Sequence, residues 1–217
     1  MNHDRIVYDH TSPELRHLSA ADPRLAALIR RVGPLHCDPV SDPFDFVAGA
    51  IVGQMLSARV ADVITARLTA LCGNCVSPQA VLSLDDGELT GIGLSRAKAA
   101  SIRALAETVT QDPGFFDRLD ALPDEAALTE LTRLRGIGSW TAKMVLLFAL
   151  NRPDVLPFED GALQQVFRWL YETDDAGRPA IEEKARAWTP YSSLAARYLY
   201  LALDSGLVSA SVTQICE

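Results

Sequence analysis

No stretch of this sequence alternates apolar and polar residues over a useful strand length, so an all-α fold is expected. No apolar run reaches the roughly 18–20 residues that a bilayer-spanning helix needs. The opening segment MNHDRIVYDH is too polar for a secretory signal, which leaves a cytoplasmic chain with no membrane partner as the expectation. Cysteine is sparse: Cys37, Cys72, Cys75 and Cys216. Cys72-Gly-Asn-Cys75 has a zinc-like spacing but no second Cys or His pair beside it, and an iron–sulfur cluster would need four clustered thiols. The thiols are therefore expected to be reduced and incidental, and no cofactor is required.

Positive charge is also in short supply. With 28 acidic against 20 basic side chains the net charge is −8, which argues against indiscriminate binding of polyanions. Two windows are nevertheless free of acids. Residues 89–106 carry Arg96, Lys98 and Arg103, and residues 131–153 carry Arg133, Arg135, Lys143 and Arg152. Each is either a local basic face or an ordinary solvated helix surface.

What the chain has is helical punctuation. Residues 1–20 show little periodicity and read as an extended or poorly ordered arm, ahead of a core over 21–217. Asp22-Pro23 and Asp42-Pro43 each pair an N-cap with Pro at the first helical position. The first opens a helix to Arg31; the second opens one with Phe44, Val47, Ile51 and Val52 as its buried stripe. Ser57 precedes a helix to Leu71 with Val60, Val63, Ile64 and Leu68 at helical spacing, and Ser95 precedes one to Val109. Short helices are expected near 78–84 and 110–126, and longer ones over 161–171, 181–188 and 191–205. At 217 residues the chain can form one large domain or two packed lobes.

The most informative stretch is LTRLRGIGSWTAKMVLLFALNRPDVLPFED, residues 131–160. Its Gly136-Ile-Gly138 turn lies between two helical patterns, within a hairpin spanning about 127–150. Such a turn presents backbone N–H groups at the start of the second helix, a phosphate site that needs no side chain. Gly136 and Gly138 suit positive φ and close approach, and Ser139 and Thr141 add hydroxyls. Asp160 follows Trp140 by twenty residues; by residue type it is a good N-cap for the next helix and also a candidate catalytic carboxylate. GIGLSRAKA at 91–99 matches GIGSWTAKM at 136–144 at both glycines, the isoleucine and the Ala-Lys pair, suggesting one helix–hairpin–helix device used twice.

Residues 131–167 resemble the helix–hairpin–helix DNA glycosylases, and specifically the 3-methyladenine DNA glycosylase II branch. Further matches are HLSAADPRLAALI (17–29), IVGQMLSARVAD (51–62), LTGIGLSRAKAASIRALA (89–106) and AWTPYSSLAARYLY (187–200). The resemblance implies two helical lobes with the active-site cleft between them and no extra N-terminal domain. It implies a monomeric repair enzyme, nucleoid-associated if bacterial, that flips an alkylated base from duplex DNA and hydrolyses its glycosidic bond. It places the catalytic carboxylate on Asp160 and the base pocket at Trp140, Tyr200, Met144 and Trp188, with Tyr198 in reserve. Gly136, Gly138, Ser139, Thr141 and Lys143 are the expected DNA contacts of the hairpin. Met55 is the expected wedge, and Gln54 is expected to face the opposite strand. The main-chain carbonyls of Thr132, Leu134 and Ile137 are the implied ligands of a monovalent cation, Na or K. Relatives that also cut the strand carry a lysine where Trp140 stands, so a strand-cutting route through Lys143 and a non-catalytic DNA-binding module are the two alternatives. Met144, Arg135 and Ser192 depart from residues common in the family.

Overall fold

A computed structural model describes residues 5–213. Cys216 and the first four residues of the expected arm lie outside the described residues. The chain opens with β1 (Ile6–Tyr8), α1 (Pro13–Ala21), α2 (Pro23–Val32) and β2 (Leu35–Cys37). There follow α3 (Pro43–Gly53), α4 (Ala58–Leu71), α5 (Pro78–Ser83), α6 (Asp86–Gly91), α7 (Arg96–Gln111), α8 (Phe115–Ala121), α9 (Asp124–Arg133) and α10 (Ser139–Met144). A π-helical turn, Val145–Ala149, continues α10. The chain closes with α11 (Gly161–Tyr171), α12 (Arg178–Ala185), α13 (Ser192–Asp204) and a 3-10 turn, Leu207–Ser209.

The fold is helical, with one small exception. Ile6–Tyr8 pairs antiparallel with Leu35–Cys37, a three-residue ladder too short to leave an alternating signature. The expectation of an extended arm over 1–20 is thus corrected: it contains β1 and nearly all of α1, whose Leu15 and Leu18 are buried. The chain divides into two compact units, one formed by Val40–Leu150 and one joining the described residues up to Pro39 to those from Asn151 onward. No described helix is long and apolar enough to cross a membrane.

In the first unit α3 is the central element. Phe44, Val47, Ala48, Ile51 and Val52 are each at most 1% exposed, and α3 packs against α4, α7, α10 and the π turn. Fully burying each large side chain contributes about 1.5–3 kcal/mol. Asp42 starts α3 by accepting the Phe44 amide at 2.8 Å. The stripe expected on α4 is half right: Ile64 and Leu68 are buried, whereas Val60 and Val63 are 44% and 46% exposed.

In the second unit the N-cap of α2 does more than its residue type suggested. Asp22, with no exposed surface, accepts the Arg24 and Leu25 amides, the Tyr171 hydroxyl at 2.6 Å and the Trp188 indole N–H at 3.1 Å. Lys184 Nζ lies 3.5 Å away. Burial alone would raise the Asp22 carboxyl; bonds from Tyr171, the Leu25 amide and Trp188, with the Lys184 charge, outweigh it and hold the group below its ordinary 3.8. This carboxylate joins α2, α11, α12 and the segment before α13.

Asp22→Asn is expected to cost about 2–4 kcal/mol in urea unfolding at pH 7, since it turns a charged acceptor of several buried donors into an amide. The folded carboxyl titrates below the unfolded one, so the unfolded chain takes up the proton first. The stabilisation is complete above the unfolded value near 3.8 and is lost as pH falls through the lower folded value. The gap between wild type and variant should therefore narrow below about pH 4; a gap that does not change with pH contradicts this role.

Candidate functional site

The hairpin is built by α9, a tight turn and α10. Leu134 leaves α9 with extended backbone, and the Ile137 amide closes the turn onto the Leu134 carbonyl at 3.1 Å. Only the first glycine has positive φ, +78° at Gly136; Gly138 is extended at −89°, 177°. The sequence reading assigned that freedom to both and is corrected for Gly138. Gly136 is also needed for space, because a Cβ there would collide with the side chain of Ser101 on α7. Ser101 is buried and bonded to the Ala97 carbonyl at 2.9 Å, so it cannot simply rotate away. Gly138 caps α10 and, as glycine, has no side chain to take the first-turn amides; it and Ser139 are exposed.

The earlier copy of the repeat proves to be a different device. In it the positive φ falls on the second glycine, Gly93 at +105°, while Gly91 still belongs to α6. Ser95, itself exposed, caps α7 by accepting the Lys98 amide, and Arg67 donates to the Ile92 carbonyl at 3.2 Å. The cap and turn groups of this copy therefore have partners within the protein.

The loop between α3 and α4 lies against the hairpin. Gln54 Nε2 donates to the Gly136 carbonyl at 2.9 Å and to Thr141 Oγ1 at 3.0 Å. Its amide nitrogen is thus engaged within the protein. Thr141 is likewise 2% exposed and serves as that partner rather than as a surface hydroxyl. Met55 is 101% exposed and has φ +58°, a left-handed conformation that costs a non-glycine residue about 1–3 kcal/mol. Ordinary methionines fill core gaps; this one is held outward.

Asp160 stands at the start of α11, 9% exposed, and accepts the Leu163 amide at 2.9 Å, so its capping role is real. The segment that delivers it is laced to α13. Ser193 Oγ accepts the Val155 amide at 2.8 Å and donates to the Val155 carbonyl, the Ser193 amide donates to the Pro153 carbonyl, and Asp154 accepts the Ser192 amide. Ser192 itself is buried, its amide doing the work. Gln164 donates to the Phe158 carbonyl, and the Arg178 guanidinium lies 4.2 Å over the Phe158 ring. The partly buried Tyr200 belongs to the same group: burial first, then the charges of Asp160 and Glu159 and a hydrogen bond with Asp160, push its phenol well above the ordinary value.

Other expected site residues are placed differently. Trp188 and Tyr198 have no exposed surface; Trp188 donates to Asp22 and Tyr198 to the Gly33 carbonyl, so both leave the list of pocket candidates. Trp140 is partly exposed, whereas Met144 is 7% and Lys143 9% exposed. That burial argues against the phosphate contact expected of Lys143. The basic windows are turned partly to internal use. Lys98 bonds main-chain carbonyls, and Arg103 bonds Asp86 and the Leu84 carbonyl; Arg96, Arg133 and Arg135 are exposed, Arg133 in a surface pair with Glu130. Cys37, Cys72 and Cys75 are free thiols, and the described residues contain no group of three or more His, Cys, Asp or Glu placed to hold a metal.

A glycine-gated hairpin followed by a carboxylate at a helix start defines a class, and the comparisons agree. Residues 48–190 match the family profile described as HhH-GPD superfamily base excision DNA repair protein, and the chain belongs to that superfamily. It is similar to DNA-3-methyladenine glycosylase 1 of Schizosaccharomyces pombe, with 27% identity over 91% of this chain and 89% of that one. The crystal structure of a DNA-3-methyladenine glycosidase from Bacillus halodurans superposes with a TM-score of 0.82, 30% identity and coverage of 96% and 97%. The S. pombe 3-methyladenine DNA glycosylase in complex with abasic DNA gives 0.79, 25% identity and coverage of 89% and 97%.

Two substitutions separate the roles of the glycines. Gly136→Ala should cost about 2–4 kcal/mol in chemical denaturation, from positive φ and the overlap with Ser101 together. Gly138→Ala, whose Cβ would meet nothing within 4 Å, should fold within about 1 kcal/mol of wild type while binding duplex DNA several-fold more weakly. Equal destabilisation by the two would contradict the assignment.

Proposed function

We propose that this base excision repair protein is a monofunctional glycosylase that extrudes an alkylated base of the 3-methyladenine type from duplex DNA and hydrolyses its N-glycosidic bond, leaving an abasic site. The observation that carries the reading is Asp160, a nearly buried carboxylate held by an amide at the start of α11 and by the laced segment before it. Breaking the glycosidic bond builds positive charge on the sugar. A carboxylate fixed in advance stabilises that charge, or orients the attacking water, without reorganising during the reaction. The hairpin amides of α10 hold a phosphate and so position the duplex without reading its sequence. Met55, already outside the protein surface, fills the gap left by the extruded nucleotide.

Alkylated purines of this type carry positive charge, which suits stacking against an aromatic face such as the exposed part of Trp140. The same Trp140 supports a hydrolytic rather than a strand-cutting enzyme, because an indole cannot form a Schiff base. Lys143 lies three residues on and is buried. A monovalent cation at the hairpin belongs to the proposal: the bond from Ile137 to the Leu134 carbonyl folds 134–137 into a short turn, and oxygen donors of this kind suit a hard cation. The carbonyls of Thr132, Leu134 and Ile137 would hold it, and it would add positive charge beside the phosphate. The enzyme acts as a monomer on damaged double-stranded DNA.

Asp160→Asn should lower single-turnover release of 3-methyladenine by at least about 100-fold while abasic-DNA binding stays within a few-fold of wild type. Near wild-type release by the variant would refute the mechanism, and binding without release by the wild type would favour a non-catalytic module. Borohydride should trap no covalent adduct; a trapped adduct lost in Lys143→Met would establish the strand-cutting route instead.

A further inference from the structure

Met55 is an unusual residue to find in a left-handed conformation. Of the positive-φ residues in its unit, Asn74 tolerates that region readily and the rest are glycines; Met55 must be held there. The carbonyls at the end of α3 show how. The Ile51 carbonyl accepts the Gln54 amide at 3.4 Å, and the Gly53 carbonyl accepts the Leu56 amide at 3.1 Å. The carbonyls of Val52 and Gln54 both accept from Lys98 Nζ, at 2.8 and 2.7 Å.

Lys98 sits in the first turn of α7, its own amide fixed by Ser95 Oγ at 3.2 Å. Its ammonium supplies two donors to a helix end that carries negative partial charge, a place where a cation is favoured. Partial burial draws the ammonium below the ordinary lysine value, a cost the two carbonyls offset. Gln54 is therefore pinned twice, through its carbonyl to α7 and through its side-chain amide to Gly136 and Thr141. The next residue is Met55.

We infer that Lys98 and Gln54 are positioning residues for base extrusion: Lys98 clamps the end of α3 so that Met55 stays outward, and Gln54 ties that wedge to the phosphate-gripping hairpin. The inference rests on the reading of Met55 as the wedge. Backbone grip and wedge then form one rigid piece, and duplex bound at the hairpin meets a wedge already in place. Without the clamp the loop relaxes and only a fraction of molecules present Met55 correctly, which lowers the extrusion rate by that fraction.

The test compares two substrates with the same alkylated base, one paired in duplex and one in a single-base bulge where extrusion needs little help. Lys98→Met should slow single-turnover excision about 30-fold on the paired base and less than about threefold in the bulge, and Lys98→Arg should recover most of the loss. Gln54→Ala, which keeps the clamp and removes only the tie, should show the same contrast more weakly, and it stands in if Lys98→Met does not fold. A 2-aminopurine beside the target reports unstacking on binding, independently of bond cleavage, and its fluorescence rise should fall with Lys98→Met. Equal factors on both substrates would reduce Lys98 to general stability and overturn the inference, as would a wild-type rate on the paired base. Met55→Ala separates the two levels. If it leaves paired-base excision and fluorescence unchanged, the wedge reading fails and this inference with it. If it impairs the paired base alone while Lys98→Met does not, only the clamp is wrong. A wild-type fluorescence rise without base release would count against the proposed hydrolysis but not against the clamp.

Discussion

The first unit depends on an absence, the missing side chain of Gly136. Because nothing projects there, the hairpin settles onto α7 beside Ser101, and its carbonyl comes within reach of Gln54. From that approach follows the link between the hairpin and the loop that carries Met55. Gly138 contributes differently, as an extended N-cap that brings no side chain to the start of α10. The two glycines look equivalent in a sequence and have opposite physical jobs.

Electrostatics in this protein are local. A net charge of −8 is poorly suited to indiscriminate DNA binding, and in the sequence the two acid-free windows look like the compensation. Lys98 and Arg103 instead bond to groups within the fold, while Arg96, Arg133 and Arg135 are exposed, Arg133 in a surface pair with Glu130. In the proposed mode of binding, the oriented amides of the hairpin position the DNA backbone, a grip that does not draw in polyanions at large.

Much of the fold was legible because capping and periodicity are local. Asp22-Pro23, Asp42-Pro43 and Ser95 all start helices, and Gly161 to Tyr171 is a helix over the expected span. The small sheet was invisible because three-residue strands carry no period. Burial within a helix was legible on α3 and misleading on α4, where Val60 and Val63 keep the spacing of a core stripe yet face solvent. At the site, residue type suggested Asp160 as a cap and candidate carboxylate and the resemblance pointed to Met55, but neither told what other side chains touch. Trp188 and Tyr198 looked like pocket aromatics and are core residues held by distant acceptors, Asp22 and the Gly33 carbonyl. Lys98 was only one cation in a basic window; its role depends on carbonyls 44 and 46 residues away in the chain. Such pairings follow from topology, which spacing does not encode.

Asp160 unites the account: it starts α11 by accepting the Leu163 amide, and the proposed mechanism gives the same carboxylate the task of stabilising the charge that builds on the sugar. The most direct measurement incubates the wild-type protein with duplexes bearing a panel of alkylated and deaminated bases. Released bases are then identified by chromatography and the strands are examined for breaks. The account predicts free, positively charged alkylpurines and intact strands carrying abasic sites; release of no base from any duplex, or strand scission accompanying release, would contradict it.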